Sequence, residues 1–208
     1  MIQSYCAELS SPPLPTLREL ERATHLRTIS PQMMSGPYQG LLLQFISQMI
    51  QPRRILEIGA FTGYASICLA QGLPNDGHLH TIEIDDELAP IFREFIGKAG
   101  LSHKITLHHG DAATVVPSLG PEPFDLIFLD AGKLDYLRHY ELLLPMLRTG
   151  GFLLADNVLW DGKVPNPNAT DATALALRAF NAHVLNDTRV ENLILPLRDG
   201  LMIVRKKS

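Results

Sequence analysis

The feature that most constrains this chain is a change of hydrophobic period that recurs along it. Short strand-like runs at 54–58, 79–84, 104–108, 124–129 and 151–155, apolar most clearly at 54–58 and 124–129, alternate with longer segments whose apolar residues return every three or four positions. A run that is apolar throughout suits a strand buried on both faces, and a helix-period segment between two such strands supplies the crossover that a parallel pair requires. The intervening helices are predicted over 64–71, 86–98, 112–119, 136–147 and 170–185. Right-handed crossovers then leave few topologies, all of them a parallel sheet with helices on both faces.

Two further helix-period segments precede the first strand. One follows the prolines of 12–15, carries Leu14, Leu17, Leu20 and Leu26, and has Thr16 as its expected cap. The other runs from Pro37 to Ile50 with Leu41, Leu42, Phe45, Ile46 and Met49 as its expected apolar face. At the other end, runs at 190–197 and 201–206 flank Arg198-Asp199-Gly200, and an Asp-Gly turn between two strands favours an antiparallel hairpin. The expectation is one α/β domain over 1–208, with 1–50 as N-terminal helices and 51–208 as the core.

Composition narrows the class. With 208 residues, 46% hydrophobic and 19% charged, the chain can bury roughly 70% of its unfolded surface and needs no staple. Cys6 and Cys68 have neither the CxxC spacing of a zinc site nor the number a disulfide framework needs. A net charge of −4 is no footprint for a polyanion, so nucleic acid is a disfavoured partner. The opening MIQSYCAELSSPPLP lacks the basic and apolar regions of a signal peptide, and no apolar run reaches the ~18 residues of a spanning helix. A soluble, cytoplasmic protein without a membrane partner is expected.

In open α/β sheets ligands bind beyond the carboxyl ends of the strands. Those ends here carry Glu57 with Gly59 and Gly63, then Glu83, Gly110-Asp111, Asp130 with Lys133, and Asp156-Asn157. The first turn is ExGxxxG rather than GxGxxG. Its Glu57 stands where a dinucleotide pyrophosphate would pass, which disfavours a nicotinamide oxidoreductase and suits a cationic or zwitterionic ligand. Glu83 can accept both hydroxyls of a ribose, and S-adenosylmethionine matches this set of groups. The plainer alternative is that Gly59 and Gly63 only form a tight turn.

Asp130, Asp156 and Asn157 offer three oxygen ligands from two strand ends, a donor set for Mg²⁺, Mn²⁺ or Ca²⁺ rather than zinc. The alternatives are a helix cap at Asp130 and a turn at Asp156-Asn157. The histidines at 78, 80, 108 and 109 sit on strand faces and read as packing or surface residues. Trp160 reads equally as a wall of an acceptor pocket or as a loop aromatic packed on the domain. Asp161 reads as a turn residue, and residues 161–171 as the segment that shapes the acceptor pocket.

With these residues in view, the motifs LEIGAFTGYAS, HTIEID, KITLHHGDA, FDLIFLDAGKLDY, GGFLLADNVLWDGKV and LPLRDGLMIVRKK resemble those of the cation-dependent O-methyltransferases of the catechol and caffeoyl-CoA type. The resemblance spans roughly 14–206. It implies the Rossmann-like fold of class I S-adenosylmethionine-dependent methyltransferases, a seven-stranded sheet whose last strand inserts antiparallel. By position it implies Glu57, Gly59, Phe61 and Ala65 at the methionine part of the cofactor, with Ser35 closing over it. It places Glu83 at the ribose, and Gly110, Asp111 and Ala112 at the adenine. Asp130, Asp156 and Asn157 would hold the cation, and Lys133 would be the base. It also implies homodimers.

Two positions depart from the pattern: Ala65 stands where many relatives have Ser, and Gly132 where the catechol enzyme has Trp and the caffeoyl-CoA enzymes Asp. The expected reaction is methyl transfer from S-adenosylmethionine to a small vicinal-diol phenol. A phenol of pKa ~10 is a weak nucleophile at neutral pH, so deprotonation beside a cation is the step to be assisted. The alternatives are methylation of a hydroxylated base in RNA and a catalytically silent cofactor-binding protein.

Overall fold

Each apolar run forms a strand. The computed structural model describes residues 2–207 and contains β1 (Arg54–Ile58), β2 (His78–Glu83), β3 (Ile105–His109), β4 (Phe124–Leu129), β5 (Leu147–Ala155), β6 (Val190–Leu195) and β7 (Leu201–Lys206). The helices are α1 (Ile2–Glu8), α2 (Pro15–Arg27), α3 (Gly36–Ile50), α4 (Tyr64–Ala70), α5 (Ala89–Lys98), α6 (Ala112–Val115), α7 (Tyr136–Met146) and α8 (Ala172–Asn186). The strands form one sheet in the order β3-β2-β1-β4-β5-β7-β6. The pairs among β1–β5 are parallel, and β7 lies antiparallel between β5 and β6. Both the expected class I methyltransferase sheet and the expected terminal hairpin are present.

Strand alternation sorts the core into two layers. Ile55, Leu126 and Phe128 pack with residues of α2 to α5, whereas Leu56, Ile58, Ile127 and Leu129 pack with residues of α7 and α8. Register then sets the site. Ile58 lies opposite both Ile82 and Leu129, and Leu129 opposite Ala155, so Glu83, Asp130 and Asp156 leave the sheet along one edge. Backbone bonds fasten that edge: Gly59 N to Ile82 O, Asp130 N to Ile58 O, Asp156 N to Leu129 O and Gly110 N to Glu83 O.

Several local expectations are corrected. Thr16 is not a cap: α2 starts at Pro15, whose fixed φ opens the helix with no side-chain cap bond. The buried face of α3 is Gln39, Gly40, Leu43, Ile46 and Ser47, while Phe45 and Met49 point out at 48% and 75% exposure. Small residues choose this face. A Cβ at Gly40 would sit 2.6 Å from the Tyr64 ring, and Ser47 Oγ donates to Leu69 O at 2.6 Å, so α3 lies close against α4. Strand β2 stops at Glu83 with Ile84 exposed, and the helix expected from Asp86 begins as a 3-10 turn before α5. Strand β5 starts four residues early, at Leu147, with a register irregularity against β4. Helix α1 had no counterpart in the sequence reading. Among the described residues no helix is long and apolar enough to cross a membrane.

Candidate active site

The carboxyl edge of the sheet opens into a cavity of about 690 Å³, within the size range of small-molecule sites. Gly59, Phe61, Glu83, Gly110, Asp111 and Ala112 line one side of it. Asp130, Lys133, Asp156, Asn157 and Trp160 line the other, with Gln32 and Met33 at its rim. Gly59 has φ +97, and a Cβ there would lie 2.0 Å from the Asp130 carbonyl oxygen. Only glycine permits this approach of the first turn to the end of β4.

Glu83 is held by backbone donors. Phe61 N reaches one carboxylate oxygen at 2.7 Å, and Ile84 N and Asp85 N reach the other at 2.9 and 3.1 Å. This fixes an anion at the cavity wall with lone pairs to spare for ligand hydroxyls. Asp111 caps α6 through Ala113 N at 2.8 Å and still lines the cavity.

Glu57, Ala65 and Ser35 do not line it. Glu57 follows the alternation of β1 to the α4 side, is wholly buried, and accepts from Ser66 Oγ. Burial raises its acid to about 8, so near neutral pH it is mostly uncharged. Its charge therefore neither repels a pyrophosphate nor attracts a cation at the cavity surface, and that part of the sequence argument is corrected. Ser35 and Ala65 are buried beside the cavity rather than in its wall.

On the far side, Lys133 Nζ donates to Asp130 Oδ1 at 2.6 Å and to the Tyr136 hydroxyl at 3.0 Å. The Tyr136 hydroxyl lies 3.2 Å from Leu129 O and 3.0 Å from Asp156 O. Burial keeps that phenol protonated, so it donates to the backbone and accepts from the lysine. Asp156 accepts from Gln39 Nε2 and from Asn157 N, both at 2.7 Å. Burial first, and then the Asp130 charge, raise Asp156 to about 6. Asn157 Nδ2 reaches Asp199 at 3.4 Å, which leaves its amide oxygen without a partner among the described residues. Asp130 caps no helix, since Gly132 and Asp135 occupy the flanking positions of the next two turns without side-chain cap bonds.

Sequence reasoning missed Gln39, His139, Arg198 and Asp199. His139 and the turn residues Arg198 and Asp199 reach the cavity, and Gln39 reaches Asp156 from inside α3. A polar residue on the inward side of α3 was the one available signal. Trp160 is on the cavity wall as one of its two readings had it. His80 and His108 hydrogen-bond each other at 3.0 Å on the β2–β3 face and do not line the cavity.

Known relatives match nearly the whole chain. Residues 7–207 match the family model described as O-methyltransferase. A catechol O-methyltransferase of Niastella koreensis is 37% identical over 170 residues, covering 80% of this chain and 77% of the relative. A caffeoyl-CoA O-methyltransferase of Stellaria longipes is 30% identical over 200 residues, covering 91% and 83%. Among solved structures, the O-methyltransferase TomG of Streptomyces achromogenes in complex with SAM superposes with a TM-score of 0.91. It is 31% identical, and the match covers 100% of this chain and 96% of that one.

Proposed function

The chain belongs to the O-methyltransferase family and depends on S-adenosylmethionine, and from that premise we propose that it methylates one hydroxyl of a small vicinal-diol phenol with a divalent cation, Mg²⁺ in the first place, as cofactor. The observation that carries this reading is the convergence of Asp130, Asp156 and Asn157 beside Lys133 on one cavity wall. The donor set fits a hard cation. Two carboxylates share a wall, the second with its acid raised in part by the first, and Asn157 contributes an amide oxygen that no donor among the described residues uses. When bound, the cation supplies Lewis acidity that favours the ionised phenol.

The chain's own groups do the rest. Lys133 Nζ, held at the wall by Asp130 and Tyr136, would take the phenol proton as the neutral amine, the form that a cation bound at Asp130 would favour by charge repulsion. Glu83, fixed by three backbone donors, would hold the ribose, while Gly110, Asp111 and Ala112 would flank the adenine, and Gly59 and Phe61 would adjoin the methionine portion. Ser35, by its position, would close over that end, and Ala65 would adjoin it. Methyl transfer is an in-line displacement, so a cavity holding nucleophile, methyl carbon and sulfur aligned can contribute about 7–11 kcal/mol. The same reading includes a homodimer, supported by the outward Phe45 and Met49 on α3, and a cytoplasmic location, supported by two unpaired thiols.

The test is methyl transfer from labelled S-adenosylmethionine to a panel of catechols with and without EDTA. Transfer is expected to vanish with EDTA and return with Mg²⁺. Transfer indifferent to EDTA would remove the cation from the reading. Transfer to total RNA and to no catechol would replace the acceptor class.

A further inference from the structure

We infer that Arg198 is a positioning residue: it clamps the segment 32–35 over the cofactor cavity and ties that segment, through Gln39, to Asp156. The inference rests on the cofactor and cation roles proposed above for this cavity and deepens them.

Arg198 sits in the turn between β6 and β7 with φ +48, a left-handed conformation that glycine adopts at no cost and a branched or long side chain does not. A side chain is carried there at the expense of strain, and the guanidinium has a defined task. Its Nη1 donates to the carbonyl of Met34 at 3.1 Å and to the carbonyl of Ser35, and lies 3.5 Å from Gln39 Oε1. Its Nη2 lies 3.5 Å from the Gln32 carbonyl. One planar fork thus gathers main-chain oxygens from the stretch that leads into α3, a geometry the single ammonium of a lysine does not reproduce.

Gln32 and Met33, in that stretch, line the same cavity as Gly59, Phe61 and Glu83. The rest of the stretch's backbone bonding is local, Met33 N to Ser30 O and Met34 N to Pro31 O, and neither bond fixes it to the sheet. The link to the cation half runs through Gln39, which is 1% exposed. Its carbonyl oxygen faces Arg198 and its amide donates to Asp156 Oδ2 at 2.7 Å. Orientation of the amide by the guanidinium therefore fixes the donor that orients Asp156. A cofactor that holds the rim segment closed also holds Gln39, and by reciprocity a cation that holds Asp156 strengthens cofactor binding.

The experiment uses the full chain as wild type, Arg198→Ala, Arg198→Lys and Gln39→Leu. Calorimetric titration with S-adenosylhomocysteine in EDTA reads the clamp alone, and amide hydrogen exchange reads the segment 32–35 directly. Both Arg198 variants are expected to weaken binding by about tenfold, the worth of a lost charge-assisted hydrogen bond, and to speed exchange there but not in β1 or β4. Affinity within twofold of wild type, with unchanged exchange, overturns the clamp. Exchange that speeds throughout the sheet also overturns it, because the role would then be general stability.

Titration with Mg²⁺ alone and again with saturating S-adenosylhomocysteine reads the tie. Wild type is expected to bind Mg²⁺ more tightly with the second ligand present. Gln39→Leu should lose that enhancement, read at S-adenosylhomocysteine concentrations that saturate the variant's own site as titrated in EDTA. An enhancement that survives Gln39→Leu, or none in wild type, overturns the tie. A wild type that binds S-adenosylhomocysteine but no cation removes the proposed cation role and the tie with it, and the first titration and the exchange measurement still decide the clamp.

Discussion

Replacing Glu57 by Gln should flatten the pH dependence of folding stability. In the folded protein Glu57 is wholly buried in the layer of α4 and accepts from Ser66 Oγ, with Thr81 beside it. Burial is the largest cause that moves its acid from 4.5 to about 8. The unfolded chain ionises this group above about pH 4.5 and the folded chain holds its proton to about pH 8. A raised folded value means that the stabilising contribution is complete below pH 4.5, declines as pH rises, and is lost once pH passes 8.

At about 1.4 kcal/mol per pH unit, that interval is worth roughly 5 kcal/mol as an upper bound, a large share of the 5–15 kcal/mol typical of a domain. Glutamine keeps the shape and an acceptor for Ser66 and cannot ionise. Asp156 and the histidines whose acids burial shifts, at 78, 80, 108 and 139, titrate in both proteins and cancel in the difference. Urea unfolding of both proteins, free of cofactor and with EDTA, at about pH 5.5, 6.5, 7.5 and 8.5 reads the effect. Glu57→Gln minus wild type is expected to grow by roughly 1 kcal/mol per pH unit up to pH 8 and then level. Parallel stability curves over that range would refute a protonated Glu57.

Lys133→Ala should lower kcat by about a hundredfold or more while leaving S-adenosylhomocysteine affinity within a few fold, since Lys133 stands on the acceptor wall. Steady-state kinetics with a titration of the same preparation checks this, and unchanged turnover would remove Lys133 as the base. Gly59→Ala should unfold at lower temperature and lose cofactor binding. Its Cβ would stand 2.0 Å from the Asp130 carbonyl on a φ of +97, and relieving that contact moves the first turn away from β4. Wild-type melting and affinity would show that the turn has another way to adjust.

The sheet was legible because buried parallel strands leave a signature that little else imitates: in runs such as Leu126–Leu129 every residue is apolar and buried, so neither face is left for solvent. The same logic held only in part at α3: of the expected Leu41, Leu42, Phe45, Ile46 and Met49, Ile46 is buried and Leu42 packs on the core, while Phe45 and Met49 face outward and Gln39, Gly40 and Ser47 turn inward. Hydrophobic periodicity ranks residues by their own transfer preference. It does not register that a glycine opposite Tyr64 lets two helices come closer than any large side chain allows. The cost of that choice is an apolar patch left outward, which is why the dimer proposal starts at Phe45 and Met49.

The site divides along the same line. Glu83, Asp130, Lys133, Asp156 and Asn157 were readable because each follows a strand end and topology brings strand ends together. Glu57 was readable as an acid of the first turn but not as a protonated one, because its pKa is set by the depth of the α4 layer. Arg198 had no sequence signal and Gln39 only its polarity on the inward side of α3, since an arginine in a turn and a glutamine in a helix are ordinary residues until the fold sets them against a cavity and a carboxylate.

The backbone records the difference. Among the described residues, non-glycine positions with positive φ are Gln51, Phe61, Asn157, Trp160, Asp161 and Arg198, and four of these six line the cavity. Each of those four is held by contacts distant in sequence: Phe61 by Glu83, Asn157 and Trp160 by Asp199, Arg198 by Met34 and Ser35. Strain of this kind persists only where surrounding structure over-determines it. The turn at 198–200, which supplies Arg198 to the rim and Asp199 to the cation wall, is therefore a joint between the two halves of the cavity and more than the end of a hairpin.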